Sequence, residues 1–300
     1  MVDIPYRREM EFSYGSVAQL APGIRRVIAN NPSPFTFHGT GTYILGSGRV
    51  AVIDPGPNDA EHIDAILNAL GDEEVSHMLV THTHMDHSPG CRLLQAKTGA
   101  PTYAYGPHGA GKVEQGVQVE EGGDMDFQPD HLVKHGDIIR GENWTVECVY
   151  TPGHTSNHLC FALQEQRALF TGDHVMGWST SIISPPDGDM AAYMDSLQLL
   201  LERDDKVYWP THGPSIIDPK THVQAYIDHR LDRERQILLC IEQGTHQIRD
   251  MVPLIYKDTP EFMYPAAARS VLAAIENLLQ KEQVRKEGEG TAMDKAYYLA

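Results

Sequence analysis

The stretch THTHMDHSPG, residues 81–90, places three histidines and one aspartate within six positions. It follows the apolar stretch VSHMLV, whose length and composition predict a short buried strand. Alternate residues of an extended segment point the same way, so His82 and His84 are placed to share one metal ion. Asp86 and His87, at the turn into the next helix, are placed to face a second ion. Four such side chains on one tight loop are costly to pack unless they are solvated or paired, which favours a metal site over a structural role.

Three later segments supply further candidate ligands. TPGHTSNH offers His154, LFTGDH offers Asp173 and YWPTHGP offers His212, each at the end of a strand-like segment. Alone, either histidine would more often be a surface or core residue, but strand ends are a common location for the sites of α/β proteins. Imidazole and carboxylate groups suit zinc, iron or manganese. Since a carboxylate has two oxygens, Asp173 is a natural bridge between two cations.

The order of the elements indicates the fold class. Strand-like segments such as IRRVIAN, TGTYILG and RVAVID alternate with helical segments such as NDAEHIDAILNAL and MAAYMDSLQLLLER, which indicates an α/β arrangement. From about residue 220 the pattern changes to three helices and a terminal hairpin, which suggests a small winged-helix unit. We expect a catalytic domain over residues 1–220 and a mainly helical, winged-helix-like domain over residues 221–300.

Composition limits the classes of function. The 300-residue chain is 41% apolar and 22% charged, as in ordinary globular proteins. Its formal charge of −17 disfavours tight nonspecific binding to nucleic acid phosphates. No apolar run approaches the length of a membrane span, and the start of the sequence lacks the apolar core of a signal peptide. We therefore expect a cytoplasmic protein without a membrane partner.

The region after residue 220 is less acidic than the rest, with 11 Lys and Arg against 12 Asp and Glu over residues 220–300. This balance favours a packing or lid role over duplex binding. Arg230, Arg233 and Arg235 lie on the predicted long helix and alternate with acidic residues. The alternation predicts ion pairs within the helix rather than a positive patch.

The ligand-bearing segments, together with VIDPGP around Asp54, resemble in order and spacing the five motifs of the metallo-β-lactamase superfamily, over residues from about 20 to 220. This resemblance implies a four-layer αβ/βα sandwich with two divalent metal ions at one edge. We expect Zn²⁺, with iron or manganese as alternatives. The resemblance also implies which residues bind each ion: the first is held by His82, His84 and His154, the second by Asp86, His87 and His212, and Asp173 bridges them.

A narrower resemblance covers nearly the whole chain. The stretches NPSPFTFHGTGTYILG, GDHVMGWSTSIISPPDGDMAAYMDSL and YIDHRLDRERQIL, followed by the winged-helix tail, are similar to the bacterial relatives of β-lactamase-like protein 2. Members of that group include single-strand endoribonucleases. The resemblance therefore implies single-stranded RNA as one candidate substrate.

The expected mechanism follows from two adjacent cations. Ions about 3.5–4 Å apart hold a hydroxide between them and lower the pKa of its parent water. That hydroxide would attack a carbonyl carbon or a phosphorus. We expect Asp86 to bind its metal through one oxygen and to orient the hydroxide through the other. Asp54 either supports a metal ligand by a hydrogen bond or is a simple turn carboxylate.

Three residues close to the ligand motifs have two interpretations each. His158 and His174 either line the pocket and donate a proton or hydrogen bond, or hold the structure together. Trp178 lies in a stretch rich in small hydroxyl side chains. It either gives the pocket an apolar wall or belongs to a plain surface loop.

The leading functional hypothesis is dinuclear metal-dependent hydrolysis of a small ester, thioester, lactone or amide. The first alternative is a metal-dependent endoribonuclease acting on single-stranded RNA, which the acidic charge disfavours. The second is an iron-dependent persulfide dioxygenase, a class that shares the histidines. A regulator with an inactive metal domain is disfavoured because all seven candidate ligands are present.

Overall fold

The computed structural model describes residues 3–109 and 122–300, and within them two mixed β-sheets face each other. In the first sheet the strands lie in chain order: β1 (Val17–Ala21), β2 (Ile24–Ile28), β3 (Gly41–Leu45), β4 (Arg49–Ile53), β5 (Glu74–Leu79), β6 (Thr102–Ala104) and β7 (His131–Leu132). The second sheet is also in chain order: β8 (Ile138–Arg140), β9 (Thr145–Tyr150), β10 (Leu159–Leu163), β11 (Ala168–Gly172) and β12 (Val207–Pro210). The pairs β4–β5 and β11–β12 are parallel, so each pair ends at one edge of its sheet.

Helices cover the outer faces of both sheets. Helices α1 (Ala60–Leu70) and α2 (Gly90–Thr98) share a hydrophobic cluster with the first sheet. Helices α3 (Met190–Glu202) and α4 (Pro219–Glu242) share another with the second sheet. These layers confirm the expected four-layer αβ/βα sandwich.

The side chains of strands β3 and β4 show that the first sheet is covered on both faces. Ile44 and Val52 pack against α1, whereas Tyr43 and Ile53 face the second sheet. All four side chains are buried, because successive side chains of a strand point to opposite faces and both faces are covered here. The nearly continuous apolar runs TYIL and VAVI are the sequence signal of such strands.

Capping residues determine where the helices around the site begin and end. The Asp59 carboxylate accepts hydrogen bonds from the backbone N–H groups of Glu61 at 2.9 Å and His62 at 3.4 Å, so α1 begins at Ala60. Gly99 adopts a left-handed φ of 70° and ends α2. The short strands β6, β7 and β8 were not among the predicted elements, because two or three residues carry little periodicity.

The C-terminal region has the expected winged-helix architecture. Helices α5 (Ile248–Ile255) and α6 (Tyr264–Gln280) pack with the end of α4. The antiparallel hairpin of β13 (Val284–Glu287) and β14 (Ala296–Leu299) completes the unit. Among the described residues, no helix is both long enough and apolar enough to cross a bilayer.

Helix α4 joins the sandwich to the C-terminal unit. Its first half contributes Val223 and Tyr226 to the hydrophobic cluster on the second sheet. Its second half contributes Ile237 and Ile241 to the cluster with α5 and α6. One continuous helix therefore packs in both cores, and the division at residues 220 and 221 stays a prediction.

Candidate metal centre

The seven candidate ligands meet at the edge of the sandwich where the parallel strands end. The loop after β5 carries four of them, and the loops after β9, β11 and β12 carry one each. Their ligand atoms form overlapping groups in which all atoms lie within 4.8 Å of one another: His82, His84 and His154; His82, His87 and Asp173; and Asp86, His87 and His212.

The first group consists of imidazole nitrogens alone. His84 Nδ1 lies 2.9 Å from His82 Nε2 and 3.0 Å from His154 Nε2. The outer nitrogen of His154, Nδ1, lies 2.6 Å from the carbonyl oxygen of Ile182. Because a carbonyl only accepts, the proton of His154 is on Nδ1, and Nε2 presents its lone pair to the cluster. This arrangement is the one that metal-binding histidines use to fix the ring and its tautomer.

The second group mixes imidazoles with carboxylates. Asp86 Oδ2 lies 3.4 Å from His87 Nε2 and 3.2 Å from His212 Nε2. Asp173 Oδ2 lies 3.5 Å from His87 Nε2, 3.2 Å from His212 Nε2 and 4.0 Å from His154 Nε2. One oxygen of Asp173 therefore lies between the two groups.

Burial keeps the first group neutral. It lowers the pKa of His82 and His84 well below the usual range, and the neighbouring imidazoles lower it further. It also lowers the pKa of His154, although Asp173 opposes the shift. A neutral imidazole is the form that binds a metal ion.

In the second group, burial and the neighbouring charged groups shift the pKa values in opposite directions, and the neighbouring charges have the larger effect. Burial alone would lower the pKa of His212, but Asp173 and Asp86 outweigh it and raise the pKa to about 10. The same competition raises the pKa of His87 well above its usual range. Burial would raise the pKa of both carboxyls, but the imidazoles hold it well below the usual range. The two carboxylates therefore stay ionised and require positive charge beside them.

A bound cation would provide a partner for two buried atoms that have no hydrogen bond among the described residues. His87 Nε2 and Asp173 Oδ1 are buried and have no hydrogen-bond partner among the described residues. Buried polar atoms without partners are rare and call for a specific cause. Lone pairs from five imidazoles and two carboxylates, gathered at one sheet edge, are the ligand types that divalent zinc, iron or manganese prefer. The residues present therefore fit a pair of divalent ions.

Asp54 supports this cluster from behind. It is fully buried at the end of β4, with φ at 48°. Its carboxylate accepts hydrogen bonds from Thr81 N at 2.8 Å, Thr81 Oγ1 at 2.7 Å and Thr211 Oγ1 at 3.1 Å. Its Oδ2 also lies 2.9 Å from His87 Nδ1. Asp54 thus ties together the segments that carry His87 and His212.

The other residues singled out in the sequence lie close to the ligands. His158 is fully buried, with Nδ1 2.9 Å from Thr151 Oγ1 and Nε2 accepting the Asp173 N–H at 3.3 Å. His174 packs edge-on against the ring of Tyr193, and burial lowers its pKa to about 3. Neither histidine is exposed to solvent.

Trp178 lies on the solvent side of the same edge. It is half-buried and stacks on Phe37, with ring centroids 4.8 Å apart. It also lies against Gly213, where a Cβ would approach the Trp178 ring to 2.7 Å. Trp178 therefore forms part of the surface next to His212.

The sequence did not single out several hydroxyl groups that hold the ligands. Thr40 Oγ1 donates to Asp86 Oδ2 at 2.8 Å. Ser181 Oγ donates to the carbonyl of Asp173 at 2.6 Å. The THTH and PTHG segments gave a partial signal, because Thr81 and Thr211 each directly precede a candidate ligand. Ser181 lies in the hydroxyl-rich stretch around Trp178, although that stretch did not predict its contact with Asp173. Thr40 gave no signal, because its contact with Asp86 comes from the packing of distant segments.

Comparison with known proteins identifies the class. Residues 36–212 match the family described as the metallo-beta-lactamase superfamily, and residues 248–292 match the beta-lactamase associated winged helix domain. The first match covers more than half of the chain. The chain belongs to the metallo-β-lactamase superfamily and is a hydrolase of that superfamily, whose members typically bind divalent metals.

Individual relatives extend over most of the chain. A beta-lactamase-like protein 2 homolog of Drosophila melanogaster is 32% identical over 281 residues, which are 90% of this chain and 92% of the relative. An atrochrysone carboxyl ACP thioesterase of Cryptosporiopsis is 33% identical over 239 residues, which are 78% and 68% of the two chains. A beta-lactamase domain protein of Burkholderia ambifaria shares the fold, with a TM-score of 0.79 at 17% identity over 99% of this chain and 97% of that one.

Proposed function

We propose that this protein is a dinuclear metal-dependent hydrolase of small esters, thioesters, lactones or amides. The observation that carries the proposal is the position of Asp173 Oδ2 between the imidazoles of the two ligand groups. His82, His84 and His154 would hold the first ion, Asp86, His87 and His212 would hold the second, and Asp173 would be available to both. We expect zinc at both positions. When bound, the two ions supply Lewis acidity and lower the pKa of the attacking water.

Asp86 is the residue best placed to orient that water. Its Oδ2 faces the second ligand group and accepts the Thr40 hydroxyl, which leaves Oδ1 to accept a hydrogen bond from the water. The Asp86 side chain is 20% exposed, against 8% for Asp173, so water reaches Asp86 more readily. Burial and hydrogen bonding fix the orientation of the other ligands before the substrate arrives.

The thioester is the first substrate to test, because a relative 33% identical to this chain is named a thioesterase. We expect the purified protein to hydrolyse an uncharged acetyl thioester, measured by thiol release. A panel containing an ester, a lactone, an amide and a single-stranded RNA oligonucleotide defines the substrate class. Asp86→Asn is expected to lower kcat by about 100-fold or more, since the substitution removes both a proposed metal ligand and the carboxylate that orients the attacking water.

The same panel separates this proposal from its alternatives. Asp195→Asn is the matched control, because Asp195 is exposed on α3 and the substitution makes the same chemical change. RNA cleavage without thioester or ester hydrolysis, lost in Asp86→Asn, would replace the small-molecule hydrolase with a nuclease. Oxygen consumption with a persulfide, and hydrolysis of none of the panel, would replace it with the dioxygenase.

A further inference from the structure

A cavity of about 360 Å³ lies between the sandwich and the C-terminal unit. Its walls are the loop of residues 178–182 after β11, the N-terminal residues Tyr6 and Arg8, and parts of α4 and α6. We refer to it as the junction cavity. Its volume lies in the range that accommodates small ligands in proteins.

The described lining of the junction cavity is cationic and contains no carboxylate. Arg8, Arg230 and Arg233 all line it, in a chain whose formal charge is −17. His229 lines it as well, and burial lowers the pKa of His229 to about 3, with further lowering by Arg230 and Arg233. His229 is therefore a neutral hydrogen-bonding group beside fixed positive charges.

The two α4 arginines that line the cavity have only neutral partners among the described residues. Arg230 is 6% exposed, donates to the carbonyl of Ser181 and lies over the Tyr193 ring at 5.3 Å. Arg233 donates to the carbonyl of Ile255 at 2.9 Å and lies over the Tyr256 ring at 4.4 Å.

The ion pairs predicted within α4 are therefore wrong for Arg230 and Arg233, neither of which has an ion pair with a described carboxylate. Only the third arginine conforms, since Arg235 lies 3.4 Å from Asp232. The acidic neighbour Glu234 instead pairs with Lys281 of α6's C-terminal end, at 2.9 Å. A buried guanidinium without a counter-charge is costly, and an anion in the junction cavity would offset that cost.

Unpartnered donors strengthen the case for a ligand. Arg230 Nε and Arg233 Nε are buried without a hydrogen-bond partner among the described residues, and so is His229 Nδ1. Guanidinium groups match the oxygens of phosphate with paired, charge-assisted hydrogen bonds. Three arginines from two separate segments line the cavity, and a phosphate group offers them more acceptor oxygens than a carboxylate does.

The loop that forms one wall of the junction cavity also contacts residues of the metal centre. Ser181 Oγ donates to the backbone carbonyl of Asp173, and the carbonyl of Ile182 lies 2.6 Å from His154 Nδ1. Both Ser181 and Ile182 line the cavity. A ligand in the cavity is thus separated from two proposed metal ligands by one loop.

We propose that the junction cavity binds a phosphate group carried by the small-molecule substrate, while the scissile bond lies at the metal centre. This inference rests on the proposed hydrolase function. Arg230 and Arg233 supply the charge, and His229 supplies a neutral hydrogen bond. Helix α4, which packs in both cores, then acts in substrate selection because it provides these residues.

The test compares two thioesters that differ only by a phosphate, acetyl-pantetheine and acetyl-4′-phosphopantetheine, on the metal-loaded full chain. We expect kcat/KM at least tenfold higher for the phosphorylated thioester, mainly through KM. Arg233→Gln is expected to reduce this preference at least fivefold. Arg235→Gln is the control, because Arg235 is exposed on the same helix and does not line the cavity. An unchanged preference in Arg233→Gln, or no preference in the parent, would overturn the inference.

A calorimetric titration with inorganic phosphate separates this inference from the proposed function. We expect the metal-loaded protein to bind phosphate at least fivefold more tightly than its Arg233→Gln variant. If neither thioester is hydrolysed, this titration alone decides whether the cavity binds phosphate, and the proposed function fails only if the ester, the lactone and the amide are not hydrolysed either. Equal phosphate affinity in both proteins would overturn the cavity site. Phosphate binding at the cavity with equal kcat/KM for the two thioesters would show that the cavity takes free phosphate, and would overturn its role in substrate binding.

Discussion

Asp173→Ala is expected to remove metal binding and hydrolysis together. Asp173 Oδ2 lies within 4.0 Å of imidazole nitrogens in both ligand groups, so no other described carboxylate can replace it. We expect the bound metal to fall by at least half and kcat to fall by more than about 100-fold, since the substitution would affect both ions of the proposed two-metal site. Elemental analysis and thioester hydrolysis on the same preparation measure the two effects.

Asp195→Ala provides the matched control for this substitution. It makes the same change at an exposed position of α3, and we expect parental metal content and activity. Circular dichroism on both variants shows whether the fold is retained. Full activity in folded Asp173→Ala would refute the bridging role of this carboxylate.

The largest effect on stability is expected for Asp54→Ala. Asp54 is fully buried and accepts three hydrogen bonds from two threonines, and it contacts His87 Nδ1 at 2.9 Å. Each buried donor left without a partner costs about 1–3 kcal/mol, so we expect the free energy of unfolding to fall by about 4 kcal/mol or more. Urea denaturation measures this change. Because Asp54 also orients His87, we expect metal affinity to fall by about 10–100-fold.

Two further variants isolate the cause. Asp54→Asn keeps the shape and tolerates the left-handed backbone, but its amide nitrogen cannot accept, so we expect a smaller loss of about 2 kcal/mol. Asp59→Ala removes only the N-cap of α1 and is expected to cost about 1 kcal/mol. An Asp54→Ala protein no less stable than Asp59→Ala would contradict the supporting role assigned to Asp54.

The sequence predicted the parts of the fold and site that depend on local patterns. The THTHMDH stretch predicted four clustered ligands because neighbouring residues on one loop must lie close together. Helix α1 was predicted within two residues because an N-cap aspartate and buried positions at helical spacing determine it. The approach of His154, Asp173 and His212 was predicted because strand ends meet at one edge.

Features that depend on contacts between segments far apart in the sequence were harder to predict. The same Asp54 carboxylate bonds to residues of two different strand ends, and only the pairing of β4 with β5 and the approach of β12 bring them together. Helical spacing predicted partners for Arg230 within α4, but the side chain reaches Ser181, which precedes it by 49 positions. Helical periodicity predicts which side chains share one face of a helix. It does not predict which distant segment packs against that face.

Elemental analysis of the purified 300-residue protein tests whether the site holds two ions. We expect about two divalent ions per chain, with zinc as the main metal, retained after dialysis against metal-free buffer. One ion per chain, or none after incubation with excess zinc, would contradict a dinuclear centre built from these seven residues.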